Sequence, residues 1–202
     1  MKALTLVLAT HNRGKRREWQ AMLEGLPITL VLPDELGLSD PVEETGNTYL
    51  ENALLKARTI AAASGLPALA DDSGLEVDAL EGAPGLHSAR YVLGSDEIRY
   101  RALLRALEGV PVEARSARFR CIAALVLPDG REFHTEGVCE GVIQTASAGE
   151  GGFGYDPVFF IPEQGCTMAE LPFELKNRIS HRARAAQALR QVLQHLEDLP
   201  VV

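Results

Sequence analysis

The residues from Ala3 to Ala9 are apolar almost throughout, the pattern of a strand covered on both faces. Trp19, Met22 and Leu23 then share one helical face, so the start of the chain reads as strand, polar turn and helix. Ile28 to Leu32 predicts a second strand. Pro33 to Gly46 predicts a long loop carrying Asp40, Glu43 and Glu44, and loops of that length in a compact domain are often functional. Thr48 and Glu51 have the spacing of a capping box for a helix with an apolar stripe of Leu50, Ala53, Leu54, Ala57, Ile60 and Ala61. Asn52 and Lys56 lie four apart on a different face of that helix.

Pro67 to Ala70 predicts a short buried strand that ends in a turn, Asp71-Asp72-Ser73-Gly74. Gly82 to Gly85 is a loop, and Ser95 caps a helix bearing Ile98, Leu103, Leu104 and Leu107. Ala117 to Leu127 and Glu132 to Ile143 flank Pro128-Asp129-Gly130 as a hairpin, which implies a mixed sheet. Gly149 to Asp156 reads as a flexible glycine-rich loop before a strand, Pro157 to Ile161. Ser180 stands at the N-cap of a last helix with Ala183, Ala186, Leu189, Val192, Leu193 and Leu196 on one side. The fold class is α/β, in one domain of 202 residues with two lobes.

Composition narrows the partners. No apolar run approaches the roughly 20 residues of a membrane helix, and the N-terminus lacks the pattern of a secretory signal, so a cytoplasmic protein is expected. Cys121, Cys139 and Cys166 are odd in number and widely spaced, which predicts reduced thiols used in packing. A net charge of -8 disfavours a nucleic-acid polymer but leaves room for a small anion held by local cations.

Three places then offer chemistry. The turn Thr10-His11-Asn12-Arg13-Gly14-Lys15 combines free backbone N–H groups, a helix N-terminus and two cations, which suits phosphate oxygens; the other reading is a solvated basic helix start. Its glycine spacing is not that of a P-loop. Asp71 and Asp72 follow a strand, whose side chains alternate, so at most one of them serves a given cleft. Either one does chemistry or both merely stabilise the turn. In the glycine-rich loop Phe153 or Tyr155 either stacks on a base or plugs the core. His181 and Arg182, with Lys176 upstream, place cations at a helix N-terminus, against its dipole; an anionic or acceptor-rich ligand accounts for them better than helix stability does.

Taken in order, Thr10 to Lys15, Glu43-Glu44-Thr45-Gly46, Glu51-Asn52-Ala53 with Lys56-Ala57-Arg58, Ala70 to Gly74, Gly82 to Gly85 with Ser88-Ala89-Arg90-Tyr91, Gly151 to Pro157, and Ser180-His181-Arg182 resemble the inosine triphosphate pyrophosphatase family. The co-linear set spans nearly the whole chain. The resemblance implies an elongated two-lobed α/β fold around a central cleft, a mixed sheet flanked by helices, Mg²⁺ dependence, a homodimer, and hydrolysis of aberrant purine nucleoside triphosphates (ITP, dITP, XTP) to monophosphate and pyrophosphate. It puts the triphosphate on Thr10, His11, Asn12, Arg13, Gly14, Lys15 and Lys56, with the Ser73 hydroxyl. It puts Mg²⁺ on Glu44 and Asp72, with Asp72 also the proton acceptor and Glu43 the alternative ligand. The base falls to Phe153, Gly154, Tyr155, Asp156, Lys176, His181 and Arg182. His11 stands where some members have glycine. Two rivals remain at this level: a related pyrophosphatase for modified pyrimidine nucleotides, and a nucleotide-binding or sensing protein without catalysis.

Overall fold

The computed structural model describes residues 4–38 and 40–196. Seven strands form one mixed sheet in the order β2-β1-β3-β4-β5-β6-β7. They are β1 Leu4–Leu8, β2 Ile28–Val31, β3 Ala68–Val77, β4 Ser116–Val126, β5 Glu132–Ile143, β6 Phe159–Ile161 and β7 Cys166–Thr167. β1 runs parallel to β2 (Leu4 opposite Ile28) and to β3 (Val7 opposite Ala68), whereas β6 runs antiparallel to β5 and β7. The helices are α1 Arg13–Met22, α2 Tyr49–Ser64, α3 Asp96–Ala106, α4 Phe173–Ile179 and α5 His181–Gln194.

Two compact units divide the chain. The first comprises residues 1–72, 121–137 and 182–202, and the second residues 73–120 and 138–181. In the first, the apolar strands are covered on both faces, as a parallel arrangement requires. Leu6, Leu8, Leu69, Cys121, Ala123 and Leu125 face one way and pack with Trp19 and Met22 of α1 and with Ala183, Ala186 and Leu189 of α5. Their strand neighbours Val7, Ala9, Ala68, Ala70, Ile122 and Ala124 face the other way, onto Ala53, Ala57, Ile60 and Ala61 of α2. The period of two thus sorts the strand residues between two helix layers. Alanines at the α2 contact let that helix lie close to the sheet. In the second unit Leu75, Val77, Leu103, Leu107, Phe119, Tyr155, Phe159 and Met168 belong to one buried cluster.

Local signals explain the helix ends. Asn12 caps α1, its side chain accepting from Lys15 N, and Arg190 Nη1 of α5 donates to the Met22 and Glu24 carbonyls at the other end. Thr48 Oγ1 accepts from Glu51 N at 3.1 Å, but Glu51 reaches back to Asn47 N rather than Thr48 N, so the expected capping box closes one residue early. Gly65, at φ 66°, ends α2 in the left-handed region.

Several expectations are corrected. β3 does not stop at Ala70; it continues through Asp71-Asp72-Ser73-Gly74 to Val77, so that stretch is strand, not turn. The long loop contains a 3-10 turn, Pro33–Leu36, begun by a proline at its first position. α4 is a separate short helix ahead of α5, and Ser180 ends the one as the other begins. The hairpin at Pro128-Asp129-Gly130 is present, closed by Leu127 N donating to Arg131 O, and Ser95 caps α3. All three cysteines are free thiols.

One glycine in β5 has no room to change. A Cβ on Gly141 would lie 2.5 Å from Phe159 Cζ and 2.5 Å from Phe160 O, and Phe159 is fully buried. Gly141→Ala should therefore destabilise by about 1–3 kcal/mol through overpacking. Thermal denaturation should show it as a midpoint lower by about 2–4 °C per kcal/mol at this chain length; an unchanged midpoint would show that β6 yields freely.

Candidate active site

Because β3 stays extended, Asp71 and Asp72 point to opposite faces and enter different environments. Asp71 joins the face of α1 and α5. Its side chain is 0% exposed and accepts from Trp19 Nε1 at 3.2 Å, from Lys15 Nζ at 3.1 Å and from Arg182 Nε at 3.1 Å, with the Cys121 thiol at 3.7 Å. Arg182 in turn donates from Nη1 to Glu18 at 2.5 Å, and Arg182 and Glu18 are 1% and 3% exposed. Charges alternate along the series Lys15, Asp71, Arg182, Glu18, which is how four ionised groups tolerate removal from water. Burial pushes the Asp71 carboxyl up, but Lys15, Arg182 and Lys56 outweigh it and hold the group well below the usual carboxylate range.

Asp72 joins the face of α2. Its Oδ1 lies 3.4 Å from Lys56 Nζ, and its Oδ2 accepts from Asn52 Nδ2 at 3.2 Å. Lys56 Nζ also meets Glu44 Oε1 at 2.6 Å and the Asp71 carbonyl at 2.8 Å. Asn52 Oδ1 accepts from Gly46 N at 2.8 Å, which ties the end of the acidic loop to α2. Glu44 is thus the loop carboxylate beside Lys56, and Glu43 is exposed. Burial raises Asp72 above the usual carboxylate range, with Glu44 adding to it, while Lys56 and Lys15 oppose the rise. Burial lowers the Lys56 ammonium, but Asp72, Asp71 and Glu44 more than offset that and leave it raised. Both lysines are tethered to one strand: Lys15 Nζ is also within 3.3 Å of the Asp71 carbonyl.

Two hard carboxylate oxygens, from Glu44 and Asp72, converge where Lys56 Nζ lies. Among the described residues no group of three or more His, Cys, Asp or Glu side chains forms a metal cage. That pair suits Mg²⁺, which takes one or two carboxylates and completes its shell with water and substrate phosphate. The turn before α1 has Asn12 N donating to Thr10 Oγ1 at 3.2 Å, while His11 and Arg13 are exposed; His11 Nδ1 lies 3.9 Å from Asp34. Gly14 and Lys15 form the first turn of α1. Ser73, the next residue of β3, is half-buried.

The residues expected to hold a base fall in the second unit, except Arg182. Asp156 Oδ2 accepts from Phe153 N at 2.8 Å and from Lys176 Nζ at 2.5 Å, with both charged groups 3% exposed. The Lys176 ammonium stands 4.8 Å from the centre of the Phe153 ring. His181 is buried and stacks on Phe119, ring centres 4.7 Å apart. Tyr155 is a core plug: it is 4% exposed and its hydroxyl donates to the Ser88 carbonyl, so burial pushes the phenol up. Gly154 N donates to Asp96. The Arg182 guanidinium at the start of α5 is balanced by the carboxylates of Glu18 and Asp71.

Two glycines of the glycine-rich loop admit the protein's own chain: a Cβ on Gly149 would lie 2.5 Å from the Ala169 carbonyl carbon, and one on Gly152 would run into Asp156 Oδ2. The sequence reading passed over Glu18; its place three residues after Lys15 on α1 and beside Trp19 was the available signal.

A model of the Ham1 family matches residues 6–192. The chain is 53% identical over 190 residues to a Geobacter sulfurreducens protein named dITP/XTP pyrophosphatase, with 93% of this chain and 96% of that one covered. It is 51% identical over 203 residues to the protein of that name from Symbiobacterium thermophilum, covering 98% and 100%. A solved HAM1 protein from Coxiella burnetii superposes with a TM-score of 0.86 at 43% identity, covering 95% of this chain and 99% of that one.

Asp71→Asn should cost about 3–5 kcal/mol at neutral pH, because Lys15 and Arg182 lose the charge that offsets their burial. The sign with pH follows from the depressed carboxyl: its contribution is present above the unfolded value of about 3.9 and is lost as pH falls toward the folded one. Urea titrations of wild type and variant should therefore differ most near neutrality and begin to converge only below about pH 4, as pH falls toward the depressed folded value. A gap that stays constant into acid would show that Asp71 is not ionised at neutral pH.

Proposed function

The chain belongs to the Ham1 family, and from that membership we propose that it is a nucleoside triphosphate pyrophosphatase of the dITP/XTP class, releasing pyrophosphate and leaving the nucleoside monophosphate. The observation that carries the reading is the convergence of Glu44 and Asp72 on Lys56, with Lys15 anchored on the same stretch of β3. Phosphoryl transfer needs alignment and charge neutralisation more than covalent help, and this set of two cations and two anions is of that kind.

Glu44 and Asp72 hold Mg²⁺, which when bound neutralises phosphate charge and aligns the triphosphate. Lys15 and Lys56 bind the phosphates with the N–H groups of the turn Thr10 to Lys15, and stabilise charge on the departing pyrophosphate. Asp72 accepts a proton from the water that attacks the α-phosphorus; the neighbouring Asp71 carboxylate is fully buried and taken by Lys15, Arg182 and Trp19. Asn52 holds the other Asp72 oxygen and so orients it. Ser73 adds a hydroxyl to the phosphates.

The purine stacks at Phe153, with Lys176, Asp156, His181 and the backbone around Gly154 at its edge. Hypoxanthine and xanthine present a carbonyl at C6, which accepts from Lys176 or His181, whereas adenine presents an amino group and meets donor with donor. The homodimer implied by the resemblance and the cytoplasmic location expected from the sequence belong to the same reading.

Pyrophosphate release from dITP should require Mg²⁺ and stop with a chelator. Across a panel, dITP and XTP should exceed ATP by on the order of 10²-fold or more in kcat/KM. Asp72→Asn should lower kcat by about 10²–10⁴-fold while nucleotide binding stays measurable. Binding of dITP with no pyrophosphate released by the wild type would make this a silent nucleotide-binding protein, and turnover of Asp72→Asn at the wild-type rate would take the proton-accepting role from Asp72.

A further inference from the structure

The glycine-rich segment is held by a side chain from a distant part of the sequence. Asp96 Oδ2 accepts from Gly154 N at 2.7 Å, across 58 residues of chain. Asp96 is the first residue of α3, where a carboxylate ordinarily serves the helix end. Ser95 already fills that place, its Oγ accepting from Ile98 N at 3.3 Å, so Asp96 is available for the loop. Its Oδ1 takes Arg99 Nη2 at 2.5 Å, and Arg99 Nη1 donates to Gly94 O at 2.7 Å. Arg99, three residues along α3, thereby locks the carboxylate in the rotamer that reaches Gly154.

The consequence falls on Phe153. Its own N–H donates to Asp156 from within the loop, and the next N–H donates to Asp96 from outside it. The peptide groups on both sides of the ring's attachment are thus fixed by carboxylates. Gly154 is at φ 66° and has open space around its absent Cβ, so close packing does not fix it there. The charge-assisted bond to Asp96 holds it there instead. Asp96 itself is 45% exposed at its side chain, so it contributes little buried volume to the core.

We propose that Asp96, held by Arg99, is a positioning residue for nucleobase recognition: it anchors Gly154 N, fixes the Phe153 ring and so sets the affinity for the purine without touching it. This rests on Phe153 as the base platform, as read above. Recognition of the phosphates, which depends on other residues, is untouched by it.

The test compares Asp96→Ala and Asp96→Asn with wild type, using dITP turnover with Mg²⁺, inhibition by inosine monophosphate and inhibition by pyrophosphate. In Asp96→Ala the KM for dITP and the inhibition constant for inosine monophosphate should both rise about tenfold, the scale of one lost hydrogen bond to a charged group. The kcat and the inhibition by pyrophosphate should stay within about twofold. Asp96→Asn, whose amide oxygen still accepts from Gly154 N, should recover most of the loss. Wild-type constants in Asp96→Ala, or equal weakening of pyrophosphate and inosine monophosphate, would overturn the role of Asp96 while leaving the enzyme's assignment in place. A wild type that cleaves no dITP would remove the functional reading and this inference with it.

Discussion

The buried carboxylate of Asp71 is the contact on which the first unit depends. Two cations and an indole N–H meet on its oxygens, Lys15 and Trp19 from α1 and Arg182 from α5. A buried ion pair adds little net stability compared with a well-packed apolar alternative, yet removal of one partner is costly. Its value lies in specifying an arrangement: α1 and α5 must both sit where Lys15 and Arg182 reach Asp71. Glu18 completes the balance of charge, so that Arg182 does not draw on Asp71 alone. The same aspartate offers its carbonyl to Lys56, which brings the second lysine to the strand from the opposite helix layer.

That opposition follows from the simplest rule in the molecule, the alternation of side chains along a strand. Ala70 and Asp72 go with α2, Leu69 and Asp71 with α1 and α5. Adjacent acids thereby take different tasks: one is neutralised and deeply buried, the other is held above the usual carboxylate range beside Glu44. Had β3 ended in a turn at Asp71, as Ser73-Gly74 suggested, this division would not be secured by backbone geometry. The glycine misled because Gly within a strand weakens it locally, while pairing with neighbouring strands decides the outcome.

The first two strands, the cap of α3 and the hairpin were legible because each is written in local spacing or composition. What was not legible depends on partners remote in sequence. Arg182 reads as a ligand-binding cation until Glu18 and Asp71, 164 and 111 residues away, are seen to hold it. Tyr155 and Phe153 look equivalent, and only the Ser88 carbonyl waiting for one hydroxyl makes Tyr155 a core residue. α4 was not read from the sequence because it has only seven residues and begins after Pro172, too short for a periodic pattern to register.

On the proposed reading, the two halves of the chemistry are built by different means. The phosphate half relies on charges whose positions are fixed by other charges, so loss of a single group there leaves a neighbour unbalanced. The base half relies on main-chain geometry. Gly149 and Gly151 press against the Ala169 backbone, Gly152 against Asp156, and carboxylates take the N–H groups of Phe153 and Gly154. Glycine at 149, 151 and 152 allows close approach, and the carboxylates of Asp156 and Asp96 hold the backbone that carries Phe153. A preorganised platform of this kind spends no ordering entropy on binding. It lets a few donors, Lys176 foremost, judge the edge of the base by hydrogen-bond matching, because a ring that could tilt would let a mismatched base relax away from them.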